Sequence, residues 1–491
     1  MMMTEVMVLL VVIPAVAAVI AGAMKSAAVR SVASAAAAAV MLLALWAIGI
    51  AYPTHFTQVF GRMPWIKGLE QVDLFGVYLD PLSSVLLIVV VVIGFLTVVY
   101  STDYLSEANR EHPEPARGQG RYYFWLLLFL ASMAGVALSP NFLQLFIFWE
   151  MTTLCSWALI SYYQTDKALK AGFKALLITH IGGLFYFVAL FILFVFTKSF
   201  EFHALALLPG RIQVLVFFFL MLAAWAKAAQ VPFHTWLPEA MAAPTPISAY
   251  LHAASMVKAG VYLMARSAQS GWAMPDSMAL LMGAMALFTM FVALSLYFVQ
   301  DDLKRLLAYS TIAHLAYILL GVSLGALGST MAYRGAVLHF ITHGFAKATL
   351  FLCVGAVAYK TGTRSISALG GLGRSMPLVA TAFFVGVLGV TGVPPFACFW
   401  SKFFILAGAM ELGGTIGPVV LILLLTESLI SFGWMLYVGQ KVFLGPVTQA
   451  ASVHSDPPAG MSGVLVILML ACVGAAAIGL PFVKLLETAM R

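Results

Sequence analysis

Long apolar runs separated by short polar loops take up nearly the whole chain. Cutting at polar loops, prolines and charge clusters leaves about fourteen stretches of roughly 17–25 residues, the length at which a helix crosses a ~30 Å hydrocarbon core. They fall near residues 6–24, 31–52, 81–101, 122–139, 142–163, 172–197, 212–231, 243–266, 277–299, 304–325, 332–358, 376–410, 416–440 and 462–483. The pattern predicts an all-α polytopic membrane protein. The twelfth stretch is too long for one plain span and contains Pro394 and Pro395. Proline inside a helix removes a hydrogen bond and clashes with the preceding turn, so this span is expected to break. The seventh ends at Pro232, with its motif running on to Pro238, and is the second expected break.

The two breaks resemble each other. Val231-Pro-Phe-His-Thr-Trp echoes Val393-Pro-Pro-Phe-Ala-Cys-Phe-Trp, and a lysine lies close to each. Interrupted helices in corresponding positions of two halves point to an inverted-repeat transporter with its charge path at the bilayer midplane. The expected organisation is three N-terminal spans (1–110), a first inverted repeat of spans 4–8 (111–270), a second of spans 9–13 (271–445) and a final span (446–491).

Composition agrees: 63% of residues are hydrophobic and 9% charged, where a soluble domain carries about 25% charged residues. The net charge of +7 does not indicate nucleic acid, because the basic residues stand singly in short loops. One set of loops holds Lys25, Arg30, Arg110, Arg117, Arg121, Lys167, Lys170, Lys304, Arg305, Lys360, Arg364, Arg374 and Lys441, with Lys174 at its edge; the other holds Arg62, Lys67, Lys198, Arg211, Arg266, Arg334, Lys484 and Arg491. The richer set faces the cytoplasm by the positive-inside rule, which places both termini outside. Val6–Met24 lacks a basic leader and reads as a first span, not a cleaved signal. Cys155, Cys353, Cys398 and Cys472 are scattered through apolar spans with no CxxC spacing, so no metal or cluster site is expected on this chain.

The chemistry lies in charges placed where hydrocarbon is expected. Lys227, Lys258, Lys347, Lys402 and Glu150 all sit inside apolar spans. A charge near the bilayer centre costs roughly 2.5–3.5 kcal/mol even on the lenient insertion scale, so such a residue marks function by default. Glu150 and Lys227 can offset each other, gaining ~4 kcal/mol at about 4 Å and an effective dielectric near 20. They fit either a movable carboxylate that switches the lysine or a static pair that fixes packing. His252 and Lys258 share the eighth span. His339, His343 and Lys347, at i, i+4 and i+8, share one face of the eleventh, and histidine can accept and donate protons near neutrality. Lys402 follows the broken twelfth span as a natural last station. Glu427 and His180 are possible accessories, the latter beside glycines that permit close helix approach.

These residues resemble a known family. Lys227-Ala-Ala-Gln-Val-Pro-Phe-His-Thr-Trp-Leu-Pro-Glu-Ala-Met, His252-Ala-Ala-Ser-Met-Val-Lys258, Asp302-Leu-Lys-Arg-Leu-Leu-Ala-Tyr-Ser, His343-Gly-Phe-Ala-Lys347 and Gly392-Val-Pro-Pro-Phe are similar to the signature of antiporter-like subunits of respiratory complex I, Mrp sodium/proton antiporters and membrane-bound hydrogenases. Ser101-Thr-Asp-Tyr-Leu, Asn109-Arg-Glu-His-Pro and Cys155-Ser-Trp-Ala-Leu-Ile-Ser-Tyr-Tyr-Gln are most similar to an antiporter-like chain of energy-converting hydrogenases of the hydrogenase-four type, the formate hydrogenlyases. The resemblance implies proton translocation in a bacterial or archaeal cytoplasmic membrane. Other membrane subunits and a hydrogenase-like redox module carrying nickel–iron and iron–sulfur centres would be the partners, with no cofactor on this chain. It implies that Glu150 and Lys227 gate uptake, His252 and Lys258 form a mid-channel station, His339, His343 and Lys347 join the half-channels, and Lys402 is the exit. Gly183 departs from the pattern, standing where many relatives carry aspartate, and the sequence ends soon after span fourteen, without the long lateral helix of the largest complex I pump. A sodium/proton antiporter uses the same residues and is the alternative. A haem subunit with His252, His339 and His343 as ligands is disfavoured, because two histidines four apart on one face rarely bind opposite sides of one haem.

Overall fold

The computed structural model describes residues 2–62, 72–115, 118–269, 274–449 and 455–489. Lys67, Arg117 and Arg491, counted above for orientation, and the repeat boundary at 270–271 lie outside the described residues. The helices are α1 (Met2–Ala23), α2 (Val29–Ala51), α3 (Pro81–Tyr104), α4 (Gly120–Leu138), α5 (Phe142–Ile160), α6 (Asp166–Thr197), α7 (Gly210–Lys227) and α8 (Trp236–Glu239). They continue as α9 (Thr245–Ala253), α10 (Met256–Gln269), α11 (Asp276–Ser295), α12 (Leu303–Ala326), α13 (Thr330–Thr361), α14 (Pro377–Thr391), α15 (Ala397–Glu411), α16 (Ile416–Gly439) and α17 (Ala459–Ala489). Among the described residues, twelve helices are long and apolar enough to cross a membrane. The chain is a multi-pass membrane protein.

The remaining two of the fourteen expected spans are interrupted. The twelfth divides into α14 and α15, where Gly392 takes a φ of 86°, a left-handed conformation open to glycine at little cost. The eighth, read as a plain span from its sequence, divides as well: α9 stops at Ala253 and α10 starts at Met256. No proline marks that break, so hydropathy alone could not reveal it. The seventh loses regular helix after Lys227, and Ala229 sits at a φ of 49°. Unwound backbone at membrane depth needs its carbonyls satisfied by protein. Trp236 Nε1 donates to the Ala226 carbonyl at 2.9 Å, and Lys304 Nζ to that of Ala243 at 2.7 Å.

One departure from an all-α chain lies between the second and third spans. Strands β1 (Phe56–Arg62) and β2 (Asp73–Leu79) pair antiparallel, with Phe56 opposite Leu79 and Arg62 opposite Asp73, and a register irregularity beside Phe60. The Gln144 side chain accepts from the Gly76 amide at 2.9 Å and donates to its carbonyl at 3.0 Å, tying the hairpin to α5.

Helices α12 and α13 are buried along their full spanning windows and α3 along most of its own, so these three form the core. Around them α1, α2, α6, α16 and α17 turn large apolar side chains outward, among them Val19, Leu42, Phe191, Leu429 and Leu470. Such a surface suits lipid or other membrane subunits.

Candidate functional site

The core helices carry the titratable residues. Lys227, Lys258, Lys347, His252, His339 and His343 are fully buried, and Lys402 nearly so. None of these snorkels outward.

On the first side, Lys227 ends α7 and reaches α5. Its ammonium donates to the Trp149 carbonyl at 2.5 Å and to Thr153 Oγ1 at 2.9 Å, and lies 4.5 Å from the centre of the Trp149 ring. The direct Glu150–Lys227 contact considered from sequence is not formed. Glu150 turns instead to His180 on α6, with Oε2 2.9 Å from Nδ1. Its other oxygen, Oε1, is buried without a hydrogen-bond partner among the described residues and lies over Gly183. A Cβ at Gly183 would overlap that oxygen, so the departure noted in the sequence is what leaves room for the carboxylate. His180, a possible accessory in the sequence reading, has a side chain 56% exposed.

The centre is a cluster on α12 and α13. His339 and His343 lie on one face of α13 with ring centres 5.6 Å apart. His314 of α12, which sequence reasoning missed, stacks against both, and its Nδ1 is 3.1 Å from His339 Nε2. His339 Nδ1 meets Ser401 Oγ of α15 at 2.7 Å. Lys258 of α10 donates to the carbonyl of Phe340, joining the eighth span to this cluster. Lys347, one turn beyond His343, turns to α12 and donates to Ser310 Oγ at 2.6 Å. His252 packs tilted against Phe351, ring centres 4.6 Å apart, with no hydrogen-bond partner for either ring nitrogen among the described residues.

On the far side Lys402 occupies the break between α14 and α15. It donates to the Thr391 carbonyl at 3.2 Å, one of those that a helix end leaves unpaired, and to Ser428 Oγ at 3.1 Å. Glu427 lies 3.9 Å away and accepts from Tyr317 Oη at 2.5 Å. Tyr317 also stacks on His314. Glu427, an accessory in the sequence reading, is thus the carboxylate partner of Lys402. A polar thread of side chains runs from Lys402 and Glu427 through Tyr317 and His314 to His339 and Ser401. Tyr317 and His314 meet in that thread by ring stacking and not by a hydrogen bond, and no hydrogen-bonded side chains join Lys227 to Lys258 among the described residues.

Three of these lysines share one device. Lys227 meets Thr153, Lys347 meets Ser310 and Lys402 meets Ser428. A hydroxyl accepts from an ammonium and can donate to the neutral amine, so it serves a lysine in both protonation states. Lys304 belongs with them as a buried cation. Counted as a loop residue from sequence, it is fully buried at the start of α12. His314 had a readable signal, a histidine in the apolar run of the tenth span; Lys304 sat beside Asp302 and Arg305 and had none.

Comparison with known proteins agrees with this geometry. Residues 139–431 match the sequence profile of the family described as NADH:quinone oxidoreductase/Mrp antiporter, transmembrane, and residues 65–114 that of the NADH-ubiquinone oxidoreductase (complex I) chain 5 N-terminus. The chain belongs to the NADH:quinone oxidoreductase/Mrp antiporter transmembrane family. Among its relatives, the chloroplastic NAD(P)H-quinone oxidoreductase subunit 5 of Anthoceros angustus is 38% identical over 388 residues, covering 75% of this chain and 50% of that one. Its counterpart in Chara vulgaris is 36% identical over 377 residues, covering 72% and 54%. The chain therefore spans about half the length of the curated relatives it matches. Its fold superposes on a chain of the Mrp complex from Dietzia sp. with a TM-score of 0.85 at 30% identity, covering all of this chain and 52% of that one. The archaeal membrane-bound sulfane sulfur reductase gives the same TM-score at 24% identity, covering 99% of this chain and 98% of that one, a likeness of fold.

Proposed function

We propose that this chain is a proton-translocating, antiporter-like subunit of a multi-subunit membrane assembly. The observation that carries the reading is the buried row of lysines and histidines on α7, α9, α10, α12, α13 and α15, its lysines held by hydroxyl and carbonyl oxygens, in a family of oxidoreductase and antiporter subunits. Buried ionisable groups with no structural counter-charge are costly, and they persist where their charge is used. Moving one charge against 100 mV requires ~2.3 kcal/mol, which makes the proton affinity of a buried lysine a workable lever. Glu150 and Lys227 gate uptake, His252 and Lys258 form the mid-channel station, His339, His343 and Lys347 join the two halves, and Lys402 with Glu427 forms the exit. The breaks after α7 and inside the twelfth span belong to two inverted five-helix repeats, 111–270 and 271–445.

The assembly we favour is an energy-converting hydrogenase of the hydrogenase-four type, in a bacterial or archaeal cytoplasmic membrane with both termini outside. Nickel–iron and iron–sulfur chemistry would reside on partner subunits and drive this one from a distance. Lys347→Ala is expected to abolish proton transport while the assembly's electron transfer continues; undiminished transport overturns the reading. The likeness to an Mrp chain supports a second one, sodium/proton exchange. Sodium-dependent proton flux in liposomes with no electron donor would establish that exchange, and its absence would leave the redox-driven pump. Nickel–iron hydrogenase subunits copurifying with the chain would support the hydrogenase branch, and small Mrp-type subunits would displace it.

A further inference from the structure

On the side of the richer basic loops, the start of α6 meets the start of α12 and the loop after α13 around a cavity of about 250 Å³. Lys167 and Lys170 of α6, Arg305 of α12 and Arg364 of the later loop bound it. Asp302, Arg305 and Arg364 also bound a wider neighbouring cavity of about 590 Å³, which Glu111 lines. The two carboxylates of the smaller cavity are already paired: Glu239 takes Lys174 at 2.5 Å, and Asp302 takes Arg364 at 3.3 Å. Lys167, Lys170 and Arg305 are exposed and have no carboxylate within ion-pair distance among the described residues. Three uncompensated cations around one concavity raise a positive potential there that draws an anion.

The surroundings say which kind of anion. Ala171, Pro238 and Met241 make the rest of the wall apolar. Helix α6 has 32 residues and so runs about 48 Å, well past a ~30 Å hydrocarbon core. Its ends therefore stand in the headgroup layers, Lys167 and Lys170 among them. Phe173 and Leu177, three and seven residues after Lys170, continue its face down the helix and turn outward, with Leu169 beside them. A phospholipid has the same order, a charged head above chains that need apolar cover. A free phosphate or an acidic protein segment would use the cations and leave the stripe below them without a role. Basic pockets between spans on the cytoplasmic side are the usual seats of anionic headgroups.

We propose that this cavity binds an anionic phospholipid, its phosphate held by Lys167, Lys170 and Arg305 and its chains laid along Phe173 and Leu177. Ammonium and guanidinium groups both donate to phosphate oxygens, and a guanidinium can do so through two parallel bonds. The headgroup then rests against Met241, in the unwound segment before α9, whose carbonyl accepts from Arg364 Nη1 at 3.2 Å. Two residues on, the same segment holds Lys304 through the Ala243 carbonyl. A lipid here therefore braces the segment that buries Lys304. The site does not depend on which ion the chain moves.

The test reconstitutes the native assembly into phosphatidylcholine vesicles carrying a trace of photoactivatable phosphatidylglycerol and maps the labelled peptides by mass spectrometry. Labelling is expected on residues 167–177, competed by unlabelled phosphatidylglycerol and not by added phosphatidylcholine. Combining Lys167→Gln with Lys170→Gln lowers it about 25-fold, at about fivefold for each cation removed, and Arg305→Gln alone about fivefold. Lys198→Gln, at the other end of α6, leaves it unchanged. Thermal unfolding gives a second reading: phosphatidylglycerol raises the unfolding temperature of the unmodified assembly more than that of the double variant. Labelling that survives the double change, or that phosphatidylcholine competes equally well, overturns the site. Labelling that inorganic phosphate abolishes replaces the lipid with a free anion. No labelling of α6 in the native assembly overturns the proposal as well, and a crosslink from Lys167 or Lys170 to an acidic segment of another subunit would name the occupant instead.

Discussion

At the scale of single residues, the central feature is how this protein holds charge away from water. Among the described residues, Lys402 alone of the four intramembrane lysines has a carboxylate, Glu427, near enough for an ion pair; the others rely on neutral oxygens. Breaking a buried pair by removing one partner costs about 3–5 kcal/mol, because the remaining charge is left uncompensated, whereas replacing both with apolar groups is often neutral. Glu427→Ala is therefore expected to lower the unfolding temperature in detergent sharply, and the double change Glu427→Ala with Lys402→Met to restore most of it, while transport stays lost in both. A second residue-level expectation concerns Gly183. Gly183→Ala puts a methyl group where Glu150 Oε1 lies, so the carboxylate must leave His180. Proton transport should fall to the level of Glu150→Gln with little change in the amount of folded protein, and transport assays on the two variants side by side check it.

At the scale of elements, broken helices and buried donors go together. Two of the three breaks free carbonyls that a buried donor then takes up: Trp236 at the seventh span and Lys402 at the twelfth. The hairpin end has its own anchor. Asp80 caps α3 by accepting from the Ser83 amide at 2.8 Å and also accepts from the two terminal guanidinium nitrogens of Arg266 on α10, at 2.6 and 2.8 Å. Both side chains are 3% exposed. Ser83, Tyr262 and Gln269 also accept from the guanidinium. The pair fixes the start of α3 to the end of α10, the helix that carries Lys258 to α13. Asp80→Ala should cost about 3–5 kcal/mol, as for any buried pair that loses one member. Thermal unfolding of the solubilised protein measures it, and Arg266→Ala should cost as much.

At the scale of the whole molecule, the arrangement is a core of α3, α12 and α13 wrapped in helices whose outer faces are apolar. The hairpin and the loop bearing Thr54 lie at one end of the bundle; Ala108 and the Glu111 cavity lie at the other. On the proposed orientation, with both termini outside, Thr54→Cys is expected to react with a membrane-impermeant maleimide in intact cells, and Ala108→Cys only in inverted vesicles. The four native cysteines are buried and leave the background low. The opposite pattern would invert the orientation and assign the Glu111 cavity to the other side of the membrane.

The sequence by itself determined the class of molecule and the identity of most of its buried charges. Apolar runs of spanning length must be helices in lipid, since the backbone finds no other partners there, and a lysine in such a run stands out because nothing in hydrocarbon solvates it. Pro394 and Pro395 revealed one break for an equally local reason. Tertiary structure decided what the charges touch. Glu150 took His180 and not Lys227, Glu427 became the partner of Lys402, and His314 completed the histidine cluster, all through contacts between helices distant in sequence. Lys304 shows the same division: beside Asp302 and Arg305 it reads as a loop cation, and it is buried only because the unwound segment before α9 folds over the start of α12 and offers it a carbonyl. Periodicity reports which residues face inward; it holds no record of which helix stands opposite.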